Sequence, residues 1–505
     1  MRWSRALTLA HLLLRYFGRR VMRTGVLASR PLRVAALALA TGLGAAAVAA
    51  AVAFLDPLRS EPGAWGLLLD AMSISTVQWC LVAVLLTKTL FLNAEGMLAM
   101  TFALPVTNRE RAAAFVLYEG AMAGIVVAVG IGALAVASLV IRGPSILVPL
   151  AESVVLPALL TYVAVGLGYQ LLTRLLSASG LRRAQPPTLL LVLFALAAAF
   201  AATVPGLTAS VSTAYLAGTD DRPWTAAVAS LSDRWGPVPS LAAATAAVAL
   251  LAWATVLLTP NRHLAQSRYL PWRAGPLTRR LLTPYDWCAV RSLQTWLPAV
   301  LAVAVFIALS LRPLAHPLWA LSLLSMGALY QFAATEPLRL LRGGRQSPWG
   351  VYGRLVRAQL VVWTAFAVPL TIAAVVIEGS AAAVVLPLLG SLASTVLALA
   401  VGIVFPAVDD NPFSLFIGMS LAVVIVTTVG LAVGLLNLPP RVSTTVVAAT
   451  LALAVVYSVV GITTFESRRR HEEVARRHQR PGGGSPADPR DRSGDPAGPH
   501  VLDRR

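Results

Sequence analysis

Lysine is all but absent from this chain. The only one among 505 residues is Lys88, in the stretch "LLTKTLF". No glycine-rich GxxxxGK[ST] loop surrounds it, so the chain cannot hold ATP phosphates through a P-loop. Charge of any sign is scarce as well. Asp, Glu, Lys and Arg make up 12% of the residues, where a soluble domain carries about a quarter. Two cysteines, Cys80 and Cys288, exclude a disulfide framework. Six scattered histidines, without HExxH or a Cys/His cluster, leave no metal site in view. No cofactor is expected of the chain itself.

What is present is apolar: 57% of the residues are hydrophobic. They gather in runs long enough to cross the roughly 30 Å of bilayer hydrocarbon as helices. The expected fold class is an all-α polytopic membrane protein of twelve spans. The first six are Val34–Leu55, Trp65–Leu92, Ala112–Ile141, Ile146–Leu172, Thr188–Val211 and Leu241–Leu258. The second six are Leu293–Leu311, Leu318–Ala334, Ala358–Ile377, Ala381–Phe405, Phe413–Leu436 and Val442–Phe465. The arginine-rich leader and the first apolar run are both too long for a cleavable signal peptide.

The net charge of +19 raises nucleic acid as a partner, and its distribution argues against one. With the N-terminus inside, 35 of the 41 basic residues fall on the inner side and six on the outer. That is the positive-inside asymmetry of a membrane protein, with anionic lipid headgroups as counter-charge. Both termini are then cytoplasmic.

An inner connector, residues 259–292, divides the chain into a first half (1–258) and a second (293–465), followed by a polar tail (466–505). Six spans per half is an even number, so the halves run parallel and can be related by an axis along the membrane normal. The tail is rich in Pro, Gly and Arg and is expected to be disordered. Before the first span, Trp3, Leu7, Ala10, Leu14 and Phe17 follow helical spacing. Such a helix lies in the interface with its arginines towards phosphates; alternatively it is a basic leader that only fixes topology. "TPYDWCAVRSLQTW" gives the second half a similar lead-in.

Between spans two and three stands "TFALPVTNRERAAAF". Pro105 disfavours helix in the residue before it. Thr107 and Glu110 have capping-box spacing, so a helix should start after Thr107 and run into span three. Upstream, "NAEGMLAMTFAL" fits a short helix along the inner surface. The corresponding connection in the second half, "EPLRLLRGGRQSPWGVYGRLVRAQ", offers Ser347 as N-cap and Pro348 as first helical residue. Glu95 precedes one cap by twelve residues and Glu336 the other by eleven.

"LPVTNRERAAAF" resembles the LP-V-(Ser/Thr)-x-(Arg)-E segment of ABC-2 type permeases, the membrane subunits of a class of ABC exporters. The resemblance is close in residues only over Leu104 to Arg111, and in layout over most of Met1 to Phe465. It implies an interfacial helix before each six-span unit, a coupling helix between spans two and three that docks on an ATPase, and a large outer segment between spans five and six. Here that segment is "STAYLAGTDDRPWTAAVASLSDRWGPVPS". The second half departs in sequence and has only "NLPPR" at the equivalent place. The coupling candidates are Glu95, Leu104, Pro105, Thr107, Arg109, Glu110 and Arg111, and in the second half Glu336, Arg345, Ser347 and Pro348. The implied partners are separate ATPase subunits, two per chain, which bind the ATP; the cargo is hydrophobic or amphipathic, and for a bacterial exporter the membrane is the plasma membrane.

Ionisable groups inside spans are costly and so are functional candidates. Asp70, Glu119 and Glu152, with Gln78, Gln170 and Gln331, could form a proton or cation path. The structural alternative has Asp70 and Glu152 reaching outer headgroups and Glu119 pairing with Lys88 or an inner arginine. Two other functions stay open. One is a proton-coupled 6+6 transporter working through Glu119, although the familiar GxxxDRxGRR loop after span two is missing. The other is a lipid-linked glycosyltransferase using Asp220 and Asp221.

Overall fold

In a computed structural model of the chain, the described residues are 2–21, 30–91, 101–102, 104–180, 185–219, 221–259, 280–311, 316–341, 347–378, 382–406 and 439–479. Every regular element among them is helical. Helix α1 (Trp3–Val21) is followed by α2 (Arg30–Leu55), α3 (Pro62–Phe91) and α4 (Asn108–Arg142). Gly143, at φ 67°, ends α4 in a conformation that glycine adopts without strain. The chain then turns back through a 3-10 turn, a helical turn (Leu147–Leu150) and a π-helical turn (Ala151–Val155) into α5 (Leu156–Ala178).

Helix α6 (Gln185–Ala217) leads to a 3-10 turn at Trp224–Ala226, α7 (Ala227–Trp235) and α8 (Pro237–Leu258). The later part contains α9 (Pro284–Arg291), α10 (Leu293–Leu311), a 3-10 stretch (Pro317–Leu324) running into α11 (Ser325–Ala334), and α12 (Glu336–Leu341). It closes with α13 (Pro348–Glu378), α14 (Val385–Val404) and α15 (Pro440–Gln479).

Nine helical stretches among the described residues are long and apolar enough to cross a membrane. One of them, Asn108–Ala178, is 71 residues long and turns back at Gly143, so it contains both the third and the fourth expected span. The first expected span is covered by α2. The eleventh lies outside the described residues, as does most of the surface helix expected over 93–104.

Helix α13 begins at Pro348, ten residues before the apolar run, as the Ser347 cap predicts. One boundary differs from expectation. Helix α15 continues past Phe465 to Gln479, so the tail does not lose its structure at 466. The rest of the tail, 480–505, lies outside the described residues.

The packing repeats along the chain. Helix α1 lies on α4, and α9 lies on α13. Helix α3 packs on α5 as α11 packs on α14; α5 packs on α8 as α14 packs on α15; α4 meets α8 as α13 meets α15. Between the two sets, α6 contacts α10, and Leu86 of α3 packs against Leu329 of α11. Each of these leucines lies five residues before its helix ends. Close approach within the second set depends on Gly402. A Cβ there would stand 2.4 Å from the Leu329 carbonyl oxygen, so α11 and α14 touch backbone to backbone.

Candidate functional site

The start of α4 is built by its own sequence. The Glu110 N–H donates to Thr107 Oγ1 at 3.3 Å, and the Thr107 N–H donates to Glu110 Oε2 at 3.0 Å. This is the capping box the spacing predicts, and it satisfies donors that a helix start otherwise leaves open. Val106 N–H bonds the Leu104 carbonyl at 2.8 Å across Pro105, tightening the approach to the cap.

The three charged residues that follow do different things. Arg109 is exposed, as are Leu104, Pro105, Thr107 and Asn108. Glu110 and Arg111 are buried, so their charges face the protein rather than a docking surface. The second oxygen of Glu110 accepts from the Arg2 N–H at 3.0 Å. One carboxylate therefore caps α4 and also the beginning of α1. Arg111 bonds Asn108 Oδ1 at 2.8 Å and the Thr101 carbonyl at 3.2 Å, with its guanidinium 3.9 Å from the Phe102 ring centre. The turn is thus exposed in front and clamped from behind.

Helix α1 is held on α4 by Leu9, Ala10 and Leu13 against Ala114, Tyr118 and Met122, with the Phe17 ring edge-on to Tyr118 at 6.4 Å. Of the face expected from Trp3, Leu7, Ala10, Leu14 and Phe17, the last three pack on α4, while Trp3 and Leu7 stay exposed. Leu9 and Leu13, beside that face, complete the contact.

The second connection has related parts. Ser347 caps α13, accepting the Gly350 N–H at 3.1 Å, and Pro348 is the first helical residue. Arg339 repeats the clamp of Arg111: it bonds the Phe332 carbonyl at 2.8 Å and lies 3.5 Å over the Phe332 ring. Glu336 opens α12; Glu95 and Arg345 lie outside the described residues.

A second capping box, at Thr283 and Asp286, starts α9. Asp286 Oδ2 accepts from the Thr283 N–H at 2.8 Å and stands 3.6 Å from Arg357 of α13. Arg357 also bonds the Leu281 carbonyl at 3.3 Å. Asp286 and Arg357 were missing from the sequence candidates, although "TPYD" carries the T-x-x-D spacing that marks such a start.

Within the spans, Lys88 Nζ and Glu119 Oε2 form an ion pair at 2.5 Å. The ammonium also lies 4.7 Å over the Tyr169 ring, so one contact joins α3, α4 and α5. This is the pairing that the sequence allowed for Glu119. The outer carboxylates behave differently. Glu152, in the π-helical turn, is buried rather than reaching headgroups, and its Oε1 has no hydrogen-bond partner among the described residues. Asp70 is partly buried. Next to it Ser73 Oγ and Thr225 Oγ1 are 2.8 Å apart, pinning the outer segment to α3, and Arg222 pairs with Asp233 at 3.0 Å. Asp221 is exposed; Asp220 lies outside the described residues. Among the described residues no group of three metal-ligating side chains gathers.

No protein-family model matches this chain, and no curated protein or solved structure matches it either.

Proposed function

We propose that this chain is the membrane-spanning permease subunit of an ATP-driven exporter. Its twelve spans form two parallel six-helix halves in the plasma membrane, with both termini cytoplasmic. A separate ATPase docks on the connections that end at Thr107 and Ser347, two ATPase subunits serving one chain. A hydrophobic or amphipathic compound moves outward between the halves, where α3 and α11 meet.

One observation carries this reading. The exposed turn Leu104–Arg109 runs without a break into α4, while Glu110 and Arg111 fix it to α1 and to the chain before it. A push on such a turn moves a span instead of bending a loop. The repeated helix pairings and the matched arginine clamps support two equivalent halves, and the absent P-loop supports an ATPase on another polypeptide. The 35-to-6 partition of basic residues supports the orientation.

The test is energetic. In inverted membrane vesicles carrying this chain and its ATPase, accumulation of a lipophilic fluorescent dye should need ATP and survive a protonophore. Accumulation that follows the proton gradient and ignores ATP would establish the secondary-transporter reading in its place.

A further inference from the structure

The apolar run of α13, residues 358 to 377, is twenty residues long, about 30 Å of helix and the depth of bilayer hydrocarbon. Arg357 therefore stands at the edge of the hydrocarbon, on the side where the basic residues gather. Arg354, three residues earlier, lies further out on the same face.

Both guanidiniums rest on the lead-in helix α9. Arg354 lies over the Tyr285 ring, 5.8 Å from its centre, while Arg357 bonds the Leu281 carbonyl at 3.3 Å and stands 3.6 Å from Asp286. Arg280, next to Leu281 in the chain, is exposed. Asp286 is one carboxylate against three arginines, which leaves two positive charges over. It is also 0% exposed, whereas the Arg357 side chain is 55% exposed. In the first half the arginine after the cap, Arg111, is instead buried on Asn108 and Thr101.

The face that carries Arg357 continues into the membrane. Leu360, Val368 and Ile372 fall within about 60° of it around the helix, and all three are exposed. A basic end at headgroup depth above a bare apolar stripe matches the two parts of a phospholipid, a phosphate and an acyl chain.

We propose that Arg280, Arg354 and Arg357, at the junction of α9 and α13, bind the phosphate of an anionic phospholipid whose acyl chain lies along Leu360, Val368 and Ile372. Depth selects lipid over an ATPase. A protein docked on the Ser347 turn meets the exposed Trp349 first, and Arg357 is ten residues, about 15 Å, beyond Ser347. Charge selects an anionic lipid, because a zwitterionic headgroup sets its own cation against the arginines. The bound lipid holds α9 to α13, as Glu110 holds α1 to α4 in the first half. This site does not depend on the permease reading, and the labelling that tests it needs no ATP.

The full-length chain is placed in phosphatidylcholine nanodiscs with a small share of a photoreactive probe. The probe is a phosphatidylglycerol or a phosphatidylcholine, each carrying a diazirine at the same acyl position. Peptides covering residues 280–291 and 349–372 should take up the phosphatidylglycerol about tenfold more, the worth of two charges at a screened interface. In Arg354→Gln/Arg357→Gln the excess should vanish. Arg354→Gln alone leaves the Arg357–Asp286 contact in place and should keep about a threefold excess; it serves where the double variant does not fold. Equal labelling of the wild-type chain by the two probes overturns the site, and so does an excess that survives undiminished in both variants. Equal labelling together with loss of a co-purifying ATPase from the double variant overturns it in favour of an ATPase surface.

Discussion

The two lead-in junctions use the same parts in opposite directions. In the first half the capping-box acid, Glu110, sits on the span and reaches back to the backbone of α1. In the second half the acid, Asp286, sits on the lead-in helix α9 and reaches a span through Arg357. Glu110 spends both oxygens on backbone N–H groups, and Asp286 spends one. Deeper in the membrane the first half holds a mutually satisfied ion pair, Lys88–Glu119, whereas the buried amides of Gln331 and Gln359 in the second have atoms without a partner among the described residues. The first junction is therefore closed on backbone at both oxygens of its acid, and the second leaves one carboxylate oxygen without a partner among the described residues.

The largest expected effect comes from breaking the ion pair on one side only. Lys88→Met leaves Glu119 charged and unpaired among α3, α4 and α5, and should lower stability by about 3–5 kcal/mol. Lys88→Met/Glu119→Leu should recover most of that loss in unfolding of the solubilised protein. The amides should respond differently: Gln331→Leu/Gln359→Leu should be neutral or stabilising, since no made bond is lost. If it destabilises as much as Lys88→Met, the contrast between the halves fails.

Next is Gly402→Ala. Its new Cβ meets the Leu329 carbonyl, which the backbone cannot withdraw, and thermal unfolding should register a loss of about 1–3 kcal/mol. Gly124→Ala, where a Cβ meets nothing within 4 Å, is the control and should not destabilise.

Glu110→Ala should cost about 1–2 kcal/mol and expose the amides of residues 2–13 to hydrogen exchange, because α1 loses its cap as α4 loses its own. Asp286→Ala should loosen α9 and leave α1 protected. The smallest effect is Ser347→Ala, about 0.5–1 kcal/mol, confined to the first turn of α13.

The parts of this architecture that obey local rules were legible in the sequence. Apolar length marks the spans, and the Thr107 and Ser347 caps need no tertiary information. The inward turn of Glu110 and Arg111 was not legible, because it depends on Arg2, Thr101 and Phe102 meeting them across the fold. The role of Arg357 was hidden, because its contacts with Asp286 and Leu281 exist only once α9 is placed beside α13. Glu152 stands in a π-helical turn that packs on α3 and on the outer segment, so no regular helical periodicity announces its burial.

The central claim is that an ATPase pushes on the Leu104–Arg109 turn, and Arg109 is its exposed charge. The most direct measurement is purification of the full-length chain from its native membrane, followed by assay of ATP hydrolysis before and after Arg109→Glu. A P-loop ATPase should accompany the wild-type chain at two subunits per chain and be lost from the variant, with the fold of the variant intact. Purification of the wild-type chain free of any ATPase, yet still active in liposomes under a proton gradient alone, would contradict the account.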